Sequence, residues 1–131
     1  MTEIDAIGRT TVLVCVTCRS SSDLEEAARG GVALADATDV AVGDATDVEV
    51  ERVRCLGNCS RGLSAAIRCR HAWTYVFGGL EADRDGAALV VGARLLASAD
   101  DGLMPWRGRP EPLKRGLIAR IPPLDSPEVP K

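Results

Sequence analysis

Histidine, proline and aromatic residues are scarce through most of this chain, and each scarcity removes a class of function. His71 is the single histidine among 131 residues, so a histidine-rich metal site or a catalytic histidine network has almost nothing to build on. Aromatic residues make up only 3%, which leaves the core to Val, Leu, Ala and Ile and offers little surface for stacking bases. The longest apolar run, Ala87 to Ala93, is far too short to cross a bilayer, so no membrane partner is expected. No Ser–His–Asp order, phosphate-cradling glycine loop or dinucleotide fingerprint occurs. The first ten residues include Glu3 and Asp5 and lack the basic start and apolar stretch of an export signal, so a cytoplasmic location is expected.

What is present suits one ordinary domain. A chain of this length buries roughly two-thirds of its unfolded surface, and 46% hydrophobic with 27% charged residues is a globular composition. The net charge of -3 is unevenly spread. Residues 1–103 hold 10 basic and 16 acidic side chains, net -6, whereas residues 104–131 hold 6 and 3, net +3. An acidic body argues against non-specific nucleic-acid binding, which needs a basic face to displace counterions. The basic tail is a candidate docking segment.

Periodicity orders the elements. Thr10 to Val16 is a β-branched run that reads as a buried strand ending at a cysteine pair. Ser22 or Asp23 is placed to cap a helix from Leu24 with Glu25 and Glu26 in its first turn, Leu24, Ala28, Val32 and Ala35 sharing a face; alternatively the helix starts only at Gly30-Gly31. Asp36-Ala-Thr-Asp-Val-Ala-Val42 is echoed as Asp44-Ala-Thr-Asp-Val-Glu-Val50, a local duplication too short for a repeat architecture. Val48 to Val53 alternates like a half-exposed strand that delivers Cys55. Leu63 to Cys69 and Trp73 to Phe77 read as a hairpin turning near Arg70-His71-Ala72, with Gly78-Gly79 ending its second strand. Asp83 or Asp85 then opens an apolar helix from Gly86 to Ala99, with Leu89, Gly92, Leu96 and Ala99 on one stripe and Asp100-Asp101-Gly102 as its stop. All seven prolines lie at or beyond Pro105, so the tail is expected to run extended for most of its length.

The chemistry is carried by cysteine. Cys15-Val-Thr-Cys18 and Cys55-Leu-Gly-Asn-Cys59 stand 36 residues apart, and in a reducing compartment clustered cysteines are metal ligands or catalysts before they are disulfides. A [2Fe-2S] cluster takes four thiolates, two per iron, which suits two paired clips on separate loops. Gly57 lets the second clip adopt positive φ close to such a cluster, and Arg54, Arg61 or Arg19 is placed to offset its negative charge. Zinc is the first competitor, although a zinc ribbon usually spaces two C-x2-C knuckles about 15 to 20 residues apart. Dithiol exchange is the second, because a C-x2-C pair after a strand resembles a redox active site. Cys69, flanked by Arg68 and Arg70, reads as a buried thiol acting as a small hydrophobe, with a replacement ligand as the alternative.

The two clips on a β-α-β framework resemble the thioredoxin-like [2Fe-2S] ferredoxins, including the small iron–sulfur subunit associated with the flavoprotein of respiratory complex I. That group has a similar interval and a C-x-G-x-C second pair, matched by Cys55-Leu-Gly-Asn-Cys59, whereas Cys15 and Cys18 are closer together than its first pair. The resemblance implies a thioredoxin-like fold of β-α-β-β-β-α order over residues 1–104, a redox partner protein, and pairing into a homodimer. Thioredoxin-type exchange enzymes also carry a cis-proline opposite their dithiol, and this chain has none before Pro105.

A tighter resemblance covers almost the whole chain. Val12 to Cys18, Cys55 to Gly62, Trp73 to Gly78, Gly102 to Pro110 and Ala119 to Pro123 look like the signature blocks of a bacterial family, domain of unknown function 1636. That family is described as predicted metal-binding proteins and lies beside cobalamin-synthesis genes, which implies an electron-transfer or metal-handling role there. Its members commonly carry a further cysteine where this chain has Leu63.

The expectation is therefore an electron carrier, not an enzyme, with Cys15, Cys18, Cys55 and Cys59 on a [2Fe-2S] cluster. The alternatives are a structural-zinc or metal-delivery module, then a thiol–disulfide oxidoreductase. Residues 105–131 are expected as an extended basic Pro-rich tail packed on the domain or a partner, pinned by Trp106. Trp73, Tyr75 and Phe77 share one side of their strand, as core or a subunit contact. His71 is expected in solvent at its turn, and the Asp83, Asp85, Asp100 and Asp101 carboxylates as helix punctuation.

Overall fold

Strand β1 (Thr10–Cys15) is the first element of the described structure. Its run of β-branched residues favours a pleated, buried surface, and all but one of its residues are buried. The computed structural model describes residues 10–16, 30–54, 56–57, 62–82 and 84–123. Among these the chain continues through helix α1 (Gly30–Val42), strands β2 (Val48–Val53), β3 (Leu63–Cys69) and β4 (Thr74–Leu80), helix α2 (Asp85–Ala97), a short helix α3 (Glu111–Arg115) and strand β5 (Leu117–Ile121). The fold is mixed α/β, with one five-stranded sheet in the order β2-β1-β3-β4-β5. β1 and β2 are parallel, and every other neighbouring pair is antiparallel.

Helices α1 and α2 pack on each other and both on β1, so they cover one face of the sheet. Val12 and Val14 point into that layer beside their cross-strand partners Ile67 and Ala65, which in turn face Tyr75 and Phe77. All six are at most 1% exposed. The Tyr75 and Phe77 rings stack with centroids 6.2 Å apart, so these two members of the alternating set lie in the core. Trp73, just before the strand, is half-buried.

The echoed pentapeptide takes two different structures. Asp36 to Val40 is helical and leaves Val40 80% exposed, whereas Asp44 to Val48 turns into β2 and buries Val48 to 5%. Tertiary burial, not local propensity, decides between them. Both copies hold an arginine: Asp36 and Asp39 bind Arg52 of β2 at 2.8 and 2.7 Å, and Asp47 binds Arg94 of α2 at 2.8 Å. Thr38, fully buried within α1, satisfies its hydroxyl by donating to the Leu34 carbonyl at 2.7 Å.

Thr10 behaves differently. It is 0% exposed, yet its Oγ1 has no hydrogen-bond partner among the described residues. Burying an unbonded hydroxyl is unfavourable, and valine has nearly the same shape without it. Thr10→Val is therefore expected to stabilise the fold by about 1 kcal/mol, read as a raised urea midpoint at unchanged slope.

Two expectations need correction. Gly78 and Gly79 do not end β4, which runs on to Leu80. The segment from Pro105 is not simply extended, because it forms α3 and then β5, which adds an edge to the sheet against β4. Proline does not prevent this: Pro112 occupies the first turn of α3, where a missing N–H costs nothing, while Pro122 and Pro123 follow β5. The link is fastened by Tyr75, whose hydroxyl accepts the buried Met104 N–H at 2.9 Å. Tyr75→Phe leaves that N–H unsatisfied and is expected to cost about 1 to 2 kcal/mol in chemical denaturation.

Candidate metal centre

Parallel strands joined by a helix bring their carboxyl ends to the same edge of a sheet, and ligands of open α/β sheets gather outside such ends. β1 and β2 are this pair. Their register sets Cys15 opposite Val53, and the Val16 N–H donates to the Val53 carbonyl at 2.9 Å just beyond. Cys15 is thus the last residue of β1, as the apolar run required, and β2 ends two positions before Cys55 in the sequence.

Cys15 is 0% exposed. Its Sγ–H donates to the Arg54 carbonyl at 3.5 Å, so the thiol of the first clip touches the residue that immediately precedes the second. Arg54 is exposed at this edge. Gly57, inside the second clip, has φ +76 and no described atom within 4 Å of where a Cβ would stand. The expected left-handed glycine is therefore present, and its reason is backbone conformation, not crowding by described atoms. Cys18, Cys55 and Cys59 lie outside the described residues, as do Arg19 and Arg61. Among the described residues no group of three or more His, Cys, Asp or Glu side chains is arranged to hold a metal.

Cys69 is excluded from this edge. It is the last residue of β3 and pairs with Thr10 at the opposite end of β1. Five residues of strand separate Thr10 from Cys15, about 17 Å. Cys69 is half-buried against the core, less enclosed than a buried thiol, and its place at the far end of β1 keeps it from sharing a metal centre with Cys15. His71, exposed with φ 67 in the β3–β4 turn, lies at that same remote end. Leu63 begins β3 near the cysteine edge and is fully buried.

One contributor escaped the sequence reading. A Cβ on Gly31 would stand 2.0 Å from the Cys15 carbonyl oxygen and 3.0 Å from the Val16 Cα, so only glycine lets α1 seat on the end of β1. The Gly30-Gly31 doublet reads from the sequence as the alternative helix start, and α1 does begin at Gly30; the close packing at Gly31 is the part that reading lacks. A glycine directly following a strand–loop unit was the available signal, since close helix–strand packing is a common reason for it.

A mixed α/β protein whose paired parallel strands bring Cys15 and Arg54 together at one sheet edge is the class these observations define. The chain matches, over residues 12–123, the family described as Protein of unknown function (DUF1636), and belongs to that family. No curated protein and no solved structure matches it.

Proposed function

We propose that Cys15, Cys18, Cys55 and Cys59 hold a [2Fe-2S] cluster on a thioredoxin-like framework, and that the protein carries single electrons for a partner that does the chemistry. The observation that carries this reading is the in-register parallel pairing of β1 with β2, with the Cys15 sulfur against the Arg54 carbonyl. Cys55 is bonded directly to Arg54, so covalent reach alone keeps its Cα within about 4 Å of that residue's. A helix crossover between parallel strands, then an antiparallel hairpin and a second helix, supports the thioredoxin-like assignment.

Such a cluster supplies one reversible electron at a potential set by its surroundings. The chain's own residues set that environment. Ligation requires Cys15 to give up to solvent the proton it now donates to Arg54, a loss that a bound metal would favour by stabilising the thiolate. Arg54 is positioned at the edge to offset the two or so negative charges of an oxidised cluster with four thiolates. The left-handed Gly57 turns the second clip without a side chain in the way.

The burial of Cys15 also bears on the alternatives. An exchange nucleophile needs solvent access to meet a disulfide, and a 0% exposed thiol does not offer it. Zinc and metal delivery draw on the same four sulfurs and are separated by composition. Placement beside cobalamin synthesis remains an inference from the family resemblance. Anaerobic purification followed by iron, acid-labile sulfide and zinc analysis tests the proposal. The expected result is about two irons and two sulfides per chain with a reducible visible spectrum; a colourless protein with stoichiometric zinc overturns it.

A further inference from the structure

Residues 104–121 contain five cations, Arg107, Arg109, Lys114, Arg115 and Arg120, and one carboxylate, Glu111. None of the five makes an ion pair among the described residues, whereas Arg52, Arg68, Arg84 and Arg94 of the body each do. Three of them instead alternate with aromatic rings. The Lys114 Nζ is 4.9 Å from the Trp106 centroid, and the Arg109 Cζ is 5.1 Å from the same ring and 5.5 Å from Tyr75. Arg120, the cross-strand neighbour of Tyr75, has its Cζ 4.8 Å from Trp73.

Arg109 is only 8% exposed, and its guanidinium donates to the carbonyls of Pro105 and Met104. Burial draws its pKa below the usual guanidinium value, and the nearby charge of Arg120 acts in the same direction. Arg120 is exposed and Lys114 half-buried, and an incoming carboxylate adds a charge-assisted hydrogen bond to each. Beside them β5 is an edge strand with no second neighbour among the described residues. Ile118 and Ile121 on it are 36% and 52% exposed, and Trp106 is 60% exposed.

We propose that the outer edge of β5 and the adjoining ladder of cations and rings dock an extended acidic segment of a partner protein, whose carboxylates meet Arg120 and Lys114. Edge strands accept extended chains through their outward main-chain groups. Because side chains alternate along a strand, carboxylates on one face of the segment meet Arg120 while apolar side chains on its other face meet Ile121. Nucleic acid suits the surface less well, because the body is net -6 and repels a phosphate backbone. β3 and β4 lie between β5 and β1, and Arg120 and Ile121 sit toward the end remote from Cys15. It is independent of the cluster and anchors the partner.

The test uses the purified full chain and an acetylated peptide of about ten residues alternating glutamate and valine. Trp73 and Trp106 are the two tryptophans of the chain, so their emission reports directly on the ladder. The peptide is expected to bind saturably with a change in tryptophan emission. The double variant Lys114→Glu, Arg120→Glu, whose circular dichroism should be unaltered, is expected to bind at least about tenfold more weakly. Equal binding of a lysine–valine peptide, unchanged binding by the double variant, or displacement of the peptide by free glutamate at the same concentration overturns the proposal. Binding of single-stranded DNA in place of the peptide overturns it in favour of a nucleic-acid surface. None of these outcomes depends on metal content.

Discussion

Replacing Cys15 by serine is expected to remove essentially all bound iron and sulfide, while Cys69→Ser leaves both unchanged. Serine is nearly isosteric with cysteine but a poor ligand for a soft iron–sulfur core. Its hydroxyl can still donate to the Arg54 carbonyl, which the cysteine thiol now contacts at 3.5 Å, so the end of β1 keeps its local bond. The loss should therefore fall on the metal, not on the fold: from about two irons per chain to close to none, with far-ultraviolet circular dichroism preserved. Cys69 supplies the control because it pairs with Thr10, about 17 Å along the strand from Cys15. Chemical iron analysis with a visible spectrum reads both variants. Full iron in Cys15→Ser, or a loss in Cys69→Ser equal to that in Cys15→Ser, removes β1 from the centre and ends the electron-carrier reading.

The contrast between the two cysteines also shows what a sequence can state about a site. β1, β2, β3 and the turn at Arg70 to Ala72 were legible because runs such as Thr10 to Val16 and Leu63 to Cys69 combine β-branched or small apolar residues with polar borders. Once the strands were right, Cys69 was on a strand and Cys15 at the end of one. Which end of the sheet each occupied was not legible, because strand direction and register are non-local. The two copies of Asp-Ala-Thr-Asp-Val make the same point within one short string: Val40 meets solvent and Val48 meets the core, from identical local sequence. β5 escaped the reading for another reason. Five residues between Gly116 and Pro122 carry no clear alternation, and their burial is correspondingly slight; pairing with β4 and the Tyr75 contact to Met104 hold them.

Charge was legible as a total but not as a pattern. The acidic body and basic tail follow from counting. That the body's arginines are tied to carboxylates, with Arg52 between α1 and β2 and Arg94 between α2 and the turn before β2, needs coordinates. So does the finding that cations of the tail sit on rings. The paired arginines bind elements of the acidic body together, while the tail cations, which make no ion pair among the described residues, leave attraction available to a second molecule.

Gly31→Ala is expected to be among the most damaging single-methyl changes in the chain. Two effects oppose each other. Alanine is the better helix former by about 1 kcal/mol, and α1 includes position 31. Against this, the new Cβ would lie 2.0 Å from the Cys15 carbonyl oxygen and 3.0 Å from the Val16 Cα. Both are backbone atoms at a strand end and cannot swing aside, so α1 must lift off β1 by more than 1 Å to restore ordinary contact. That shift loosens Leu34 and Ala35, which are fully buried on the same helix, and overpacking of this kind typically costs about 1 to 3 kcal/mol or more. The steric loss therefore exceeds the propensity gain, for an expected net destabilisation of about 2 kcal/mol. Gly92→Ala is the comparison: its nearest obstacle is the terminal Cδ1 of Leu113, which can rotate away, and the expected loss is smaller. Urea midpoints of the two variants at unchanged slope decide the order. Displacing the Cys15 carbonyl also moves the residue whose sulfur is proposed as a ligand, so Gly31→Ala should lose iron faster to a chelator than Gly92→Ala does. If Gly31→Ala instead proves more stable than the natural chain, α1 does not rest on the end of β1, and the route by which the first clip is held in place is lost.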